Sequence, residues 1–235
     1  MDFLQRTELL IGRENITRLQ NAKVAVCGLG GVGSAAAEAL ARVGIGHLRL
    51  IDFDKVDITN LNRQLLATHE TIGIKKVQAM AERILKINPS CDLELREAFI
   101  TPENVNQLLN GMDFVVDAID NVTGKIAIIV YCKANSIGIV SSMGTGNKLF
   151  PERLEIVDIS QTSICPLARV MRRELKKRGI EKGVTVVYSG EQPVKIKVTE
   201  GEKPVTASIS FVPPVAGMLL SSYVVRKIIK NQIIS

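Results

Sequence analysis

Tryptophan is absent from this 235-residue chain, and aromatic residues of all kinds make up only 4% of it. A surface of stacked rings, the usual platform for unpaired nucleic-acid bases, is therefore not available. Histidine is almost as scarce: His47 opens a predicted strand and His69 falls in a predicted turn, so neither is placed for acid–base work. The four cysteines, Cys27, Cys91, Cys132 and Cys165, stand singly, with no CxxC pair and no histidine close by. That spacing argues against structural zinc and against a disulfide framework, and leaves most of them as small buried hydrophobes. Long apolar runs are missing too. The most apolar stretch, Phe211 to Val225, is broken by two prolines and two serines before it meets Arg226 and Lys227, too short and interrupted for a membrane span. Val215 to Lys230 is predicted instead as a helix with a broad apolar face, suited to a core or a dimer interface. Met1 runs directly into Asp2, Gln5 and Arg6 with no apolar signal-peptide core, which points to a cytoplasmic location.

What is present is ordinary globular material: 46% hydrophobic and 23% charged residues, enough for one large domain over residues 1–235. The net charge of +6 favours encounter with polyanions, nucleic acid first among them.

Short β-branched runs alternate with segments of helical period from Lys23 to about Met143. This pattern predicts an α/β fold, a Rossmann-like, mostly parallel sheet with helices on both faces. The predicted strands are Lys23 to Cys27, His47 to Asp52, Asp92 to Ala98, Asp113 to Ile119 and Gly138 to Ser142. Val32, Ala35, Ala36, Ala39, Leu40 and Val43 recur at three- and four-residue spacing, as do Val77, Met80, Ala81, Ile84 and Leu85, each set marking a helix with one apolar stripe. Thr101 and Pro102 read as an N-cap and first helical position of a short helix ending near Leu109. Beyond a nucleotide-binding core of about residues 20–145, a substrate-side part of about 146–235 is less regular. It extends the sheet with Arg153 to Asp158 and Val184 to Ser189 and carries a basic helix, Pro166 to Arg178. Gly190 to Thr206, rich in glycine, proline and charge, is predicted as a loop that covers the substrate.

The sharpest local feature is Cys27-Gly28-Leu29-Gly30-Gly31-Val32-Gly33, set between a strand and an alanine-rich helix. Glycines there let the chain turn tightly and let a polyphosphate approach the free amides at the helix start. Asp52, at the end of the next strand, stands at the spacing that serves ribose hydroxyls. Asn60, Arg63, Gln64 and Lys76 follow on the ligand side of that strand, where Arg63 and Lys76 are placed to clamp β- and γ-phosphates. Asp120, at the carboxyl end of the fourth strand, is the candidate Mg²⁺ ligand, because magnesium takes one or two carboxylates and completes its shell with phosphate and water. Asp117 faces the core or caps the turn. A triphosphate, ATP, is thus favoured over a dinucleotide.

On these residues the chain resembles the ubiquitin-activating-like adenylating enzymes, which include the activators of the molybdopterin and thiamine sulfur carriers. The resemblance runs through Gly28 to Gly33, Leu50 to Asp54, Asn60 to Gln64, Gly73 to Lys76 and Asp117 to Asn121. It implies that Asp52 holds the ribose, that Asn60, Arg63 and Lys76 hold phosphates and that Asp120 holds magnesium. Gly28, Gly30, Gly31, Gly33, Asp54, Gln64 and Asn121 complete the candidate nucleotide positions. It also implies a homodimer in which Arg6 reaches the neighbour's triphosphate. Within that superfamily Arg6 to Gly12, Pro166 to Leu175 and Val187 to Glu191 resemble the branch of transfer RNA threonylcarbamoyladenosine dehydratases. That branch uses ATP to cyclise a side chain beside the anticodon, so a tRNA substrate is implied; a sulfur-transfer protein is a further candidate partner. Arg169, Arg172, Arg173, Lys176 and Lys177 would then meet RNA phosphates. Some members carry a cysteine shortly before the last helix, where this chain has Ser208-Ile209-Ser210-Phe211, so a catalytic thiol is not expected. Cys165, just before a helix start that favours thiolate, is read as an ordinary cysteine. The competing readings are an activator of a carrier protein's C-terminal carboxylate, a nucleotide-binding regulator without turnover, and a nicotinamide-dependent dehydrogenase.

Overall fold

The computed structural model describes residues 3–196 and 206–229. Its centre is a seven-stranded sheet: β1 Lys23–Cys27, β2 His47–Ile51, β3 Asp92–Arg96, β4 Phe114–Asp117, β5 Gly138–Ser142, β6 Leu154–Asp158 and β7 Thr185–Ser189. The strands lie in the order β3-β2-β1-β4-β5-β7-β6. Every pairing is parallel except β6 with β7, which closes the edge antiparallel. All seven sequence-predicted strands are present, each shortened by at most two residues at an end, and the α/β expectation is met.

Period-two alternation sends Val24, Val26, Leu48, Leu50 and Val116 into one hydrophobic core and Ala25, Cys27, Ile51 and Val115 into a second core on the other face. The first is covered by α3 Gly31–Arg42, α4 Lys76–Ile87 and α8 Val212–Ile228, the second by α5 Val105–Leu109, α6 Val122–Ala134 and α7 Pro166–Lys176. Helix α8 lies directly on α3. A Cβ at Gly217 would stand 2.3 Å from the Val32 carbonyl oxygen and 2.9 Å from the Ala35 Cβ, so only glycine permits that approach.

Two helix starts depart from expectation. α8 starts at Val212 rather than Val215, because Pro213 and Pro214 fall in the first turn, whose amides have no intrahelical acceptor to lose. α5 starts at Val105, not Pro102: Asn104 precedes it, and its side-chain oxygen accepts from the Thr101 amide at 2.8 Å, the reverse of the predicted Thr101 cap. Two helices that the apolar spacing does not announce, α1 Gln5–Ile11 and α2 Arg13–Asn21, precede the sheet and turn at Gly12 with φ of 81°. The stretch 190–206 has no regular structure where it is described; residues 197–205, the centre of the expected cover, lie outside the described residues. No helix among the described residues is long and apolar enough to cross a membrane.

Candidate nucleotide and substrate site

In an open α/β sheet, ligands gather where neighbouring strands send their connections in opposite directions. Here that point lies between β1, which leads into α3, and β4, which leads into α6. A cavity of about 500 Å³ opens there, at the carboxyl ends of the strands.

The glycine turn forms one wall, and each glycine has a distinct duty. Gly28 has φ of +83° and packs against the Ala118 carbonyl, where a Cβ would come within 2.9 Å. A Cβ at Gly33 would lie 1.7 Å from the Gly28 carbonyl oxygen, so this residue sets the close seating of α3 on the turn. One at Gly31 would meet Pro213 at 2.9 Å. Gly30 is different, because a Cβ there would meet no protein atom within 4 Å. It lines the cavity, so what a side chain would fill is ligand space.

Asp52 stands just past the end of β2 and is buried. Its Oδ2 accepts from the Leu29 amide at 2.6 Å and its Oδ1 from the Asp54 amide at 2.8 Å. Burial pushes its carboxyl above the ordinary aspartate range, against the pull of the Leu29 amide, the Lys76 ammonium and the Asp54 amide. Each oxygen keeps a second lone pair for a hydroxyl.

Lys76 opens α4 and is buried; its Nζ donates to Asp54 Oδ2 at 2.8 Å. Asp54 is thus the partner that aims Lys76. Arg63 reaches the cavity from the segment after β2, its Nη1 bonded to the Thr59 carbonyl at 3.0 Å and to Asn62 Oδ1 at 2.7 Å. Asn60 is buried, and its Oδ1 takes the Asp57 amide at 3.2 Å, closing a capping box. Gln64 is buried at the cavity wall, and its Oε1 has no hydrogen-bond partner among the described residues.

The opposite wall is the connection from β4 to α6. Asn121 caps α6 by accepting from the Gly124 amide at 2.7 Å, and it lines the cavity. Asp120 is exposed to the cavity with no hydrogen bond or ion pair among the described residues. Asp117 is wholly buried, paired with Lys125 at 3.0 Å, and so belongs to the core rather than the cavity. Two cationic side chains, an open glycine wall and a free carboxylate fit a magnesium–triphosphate, with the Asp120 oxygens as donors of the hard type that magnesium takes.

The structure also supplies residues that motif reading does not reach. Phe53 and Phe99 pack edge-on at 5.0 Å and, with Ala98 and Ile100, give the cavity an apolar end. The turn Ser142 to Gly146 and Ser208 line its far side. Phe99 and Ser142 stand at or just beyond the ends of β3 and β5, so topology, and not residue type, was the signal that could have found them.

Other expected positions lie elsewhere. Arg6, on α1, is exposed and outside this cavity. On α7, Arg172 is committed inward: its Nη1 donates to the Thr162 carbonyl at 2.8 Å and also to the Thr162 hydroxyl. Arg173 and Lys177 both bond Glu174, at 3.1 and 2.9 Å, and Lys176 pairs with Glu181 at 3.4 Å. Arg169 is exposed and unpaired among the described residues. All four cysteines are buried, and burial raises Cys132 to about 12 and Cys91 to about 11. Neither thiol is a nucleophile at neutral pH.

The chain is similar to known proteins over nearly its whole length. A tRNA threonylcarbamoyladenosine dehydratase of Bacillus subtilis (strain 168) is 44% identical over 96% of this chain and 94% of its own length. The crystal structure of the Escherichia coli tRNA N6-threonylcarbamoyladenosine dehydratase TcdA in complex with ATP superposes with a TM-score of 0.87 at 38% identity, covering 94% of this chain and 90% of that one. The same enzyme in complex with AMP gives 0.88 at 35% identity, covering 98% of each chain. The ThiF family pattern matches residues 4–234, and the chain belongs to that family.

Proposed function

We propose that this protein is an ATP-dependent tRNA threonylcarbamoyladenosine dehydratase, which activates the threonyl carboxylate of the modified adenosine and cyclises it with net loss of water. The observation that carries the reading is the cavity at the sheet's switch point, where the open Gly30 wall, Asp52, Lys76 and Arg63 face Asp120. The near full-length likeness to dehydratases of that name, one of them in complex with ATP, supports it over activation of a carrier protein.

The chemistry follows from what a carboxylate cannot do. It does not expel oxide, so one oxygen first attacks a phosphorus of ATP, breaking that phosphorus's bond to the rest of the phosphate chain, which leaves; an internal nucleophile then loses its proton, bonds the carbonyl carbon and expels the phosphorylated oxygen together with its phosphoryl group. Lys76 and Arg63 hold phosphates and neutralise charge that moves onto them as the new bond forms. Asp52 accepts from ribose hydroxyls, and the apolar end at Phe53 and Phe99 receives the base. Asp120 would hold magnesium, which would supply positive charge against the phosphates. Orientation inside the cavity supplies the remainder, since an intramolecular attack needs only the correct conformer.

Arg6 completes the site from a second copy in this reading. Leu9 and Leu10, 80% and 68% exposed on the same short helix, give the pair an apolar contact. The exposed Arg169 of α7 meets tRNA phosphate. A sulfur-transfer protein remains a further candidate partner.

The deciding experiment incubates threonylcarbamoylated tRNA with the protein, ATP and magnesium, and reads nucleoside masses against a control without ATP. Loss of one water only with ATP establishes the dehydratase. Unchanged nucleoside, with ATP bound and pyrophosphate released on addition of a carrier protein, assigns the site to carrier activation.

A further inference from the structure

A lysine inside the first turn of a helix opposes the helix dipole, which favours negative charge there. Lys125 occupies that position in α6, and its side chain is fully buried. Its Nζ bonds Asp117 Oδ2 at 3.0 Å, and the same oxygen accepts from the Ser141 hydroxyl at 2.6 Å. Asp117 Oδ1 accepts from the Ile119 amide at 3.3 Å. Lys125, Asp117 and Ser141 are all 0% exposed.

Stability alone gives no reason for this arrangement. Taking both charges out of water costs about as much as their attraction returns, and well-packed apolar residues commonly serve as well or better. What short charge-assisted bonds do supply is fixed geometry. Asp117 is the last residue of β4, paired in register with Cys27 of β1 and Ser141 of β5. The residues that follow it, Ala118 to Asn121, are the cavity wall that carries Asp120. That wall is therefore tied at its start by Asp117 to the adjoining strand β5 and to the first turn of α6. At its end the Asn121 cap secures it. Gly124 lets the helix sit directly on it: a Cβ there would meet Ile119 Cδ1 at 2.7 Å and the Ile100 carbonyl oxygen at 2.9 Å.

We infer that Lys125, Asp117 and Ser141 form a positioning network that fixes the wall bearing Asp120 and so sets how tightly the site takes a divalent cation with its triphosphate. The inference rests on Asp120 as the cation ligand. The three residues touch neither nucleotide nor cation; they act through the main chain between Asp117 and Asn121.

The test measures ATP affinity calorimetrically with and without magnesium, and the half-saturating magnesium concentration in turnover. It compares the wild type with Ser141→Ala, with the double variant Lys125→Met/Asp117→Asn, which removes both buried charges at similar volume, and with Asp120→Ala. The network predicts that the first two variants bind magnesium-free ATP within about twofold of wild type but need roughly tenfold more magnesium, the effect of about one charge-assisted hydrogen bond. Folded variants with an unchanged magnesium requirement overturn it. A loss of magnesium-free ATP binding equal to the loss with magnesium also overturns it, because that is general damage to the site. Ser141→Ala removes a single hydroxyl and decides the matter should the double variant fail to fold. Asp120→Ala separates the premise from the inference: if it leaves the magnesium requirement unchanged, the ligand assignment fails, and the network's role falls with it. If Asp120→Ala alone raises the requirement, only the network is wrong.

Discussion

Lys76 Nζ lies 2.8 Å from Asp54 Oδ2, with the lysine side chain 8% exposed and the aspartate 46% exposed. The cation is thus held within the protein while its partner faces solvent, and Lys76 points along the cavity wall before any phosphate arrives. A charge-assisted hydrogen bond of this kind contributes about 1.5–3 kcal/mol. Lys76→Ala is therefore expected to weaken ATP binding by roughly 10- to 100-fold. A binding titration that finds less than a threefold change would remove Lys76 from the phosphate site.

Gly30 and Gly33 stand three residues apart and predict opposite failures. Gly30→Val adds a side chain that meets no protein atom within 4 Å of its Cβ, so the melting temperature should hold while ATP binding is lost. Gly33→Ala drives a methyl to 1.7 Å from a carbonyl oxygen, so the fold itself should give way, at a cost of about 1–3 kcal/mol or more. Thermal melts alongside ATP titrations check both. If both variants lost stability alike, the open face of Gly30 would not be ligand space.

The strands were legible because alternation and β-branching are local signals, and β1 and β5 match their predicted limits residue for residue. The glycine turn was legible for the same reason. The order β5-β7-β6 was not, since strand pairing is decided by tertiary packing, and neither were α1 and α2, whose apolar positions are few and interrupted at Gly12. Among the candidate site residues, Asp52, Lys76 and Arg63, singled out by spacing and charge, all line the cavity. Lys125 was passed over because a lysine in an apolar helix reads as its solvent face, and only the fold brings Asp117 and Ser141 to it. Arg172 shows the converse: its residue type suggests phosphate, and the fold bonds its Nη1 to Thr162.

Asp52 gives a pH dependence with a definite sign. Burial raises its folded carboxyl above the ordinary value. For an acid whose folded pKa is raised, protonation favours the folded state, so the destabilisation sets in as pH rises through the ordinary aspartate value and is complete above the folded pKa. Ribose binding needs the opposite form, a carboxylate with lone pairs open to hydroxyls. ATP affinity should therefore fall on acidification, beginning above the pH at which an ordinary aspartate titrates. Asp52→Asn should bind more weakly at neutral pH and lose that acid limb. Affinity measured from neutral to acidic pH checks this, and an identical limb in the variant would place the titration on another group.

The charges of α7 are unequal in what they have left to offer. Arg169 is exposed and unpaired among the described residues, whereas Arg173 and Lys177 share Glu174, whose carboxyl their hydrogen bonds hold below the ordinary range. If RNA lies along this helix, Arg169→Ala should weaken binding at every sequence and lower the salt slope by about 0.7, the share of one phosphate contact on a single strand. Glu174→Gln releases Arg173, Lys177 and Arg178 from their ion pairs and should strengthen binding and steepen the slope. Arg172→Ala should instead lower the melting temperature, by the equivalent of about 1–2 kcal/mol for the bonds lost to Thr162, with little change in slope. tRNA binding measured across a salt series separates the three. Equal slopes for wild type, Arg169→Ala and Glu174→Gln would mean that α7 does not face the RNA.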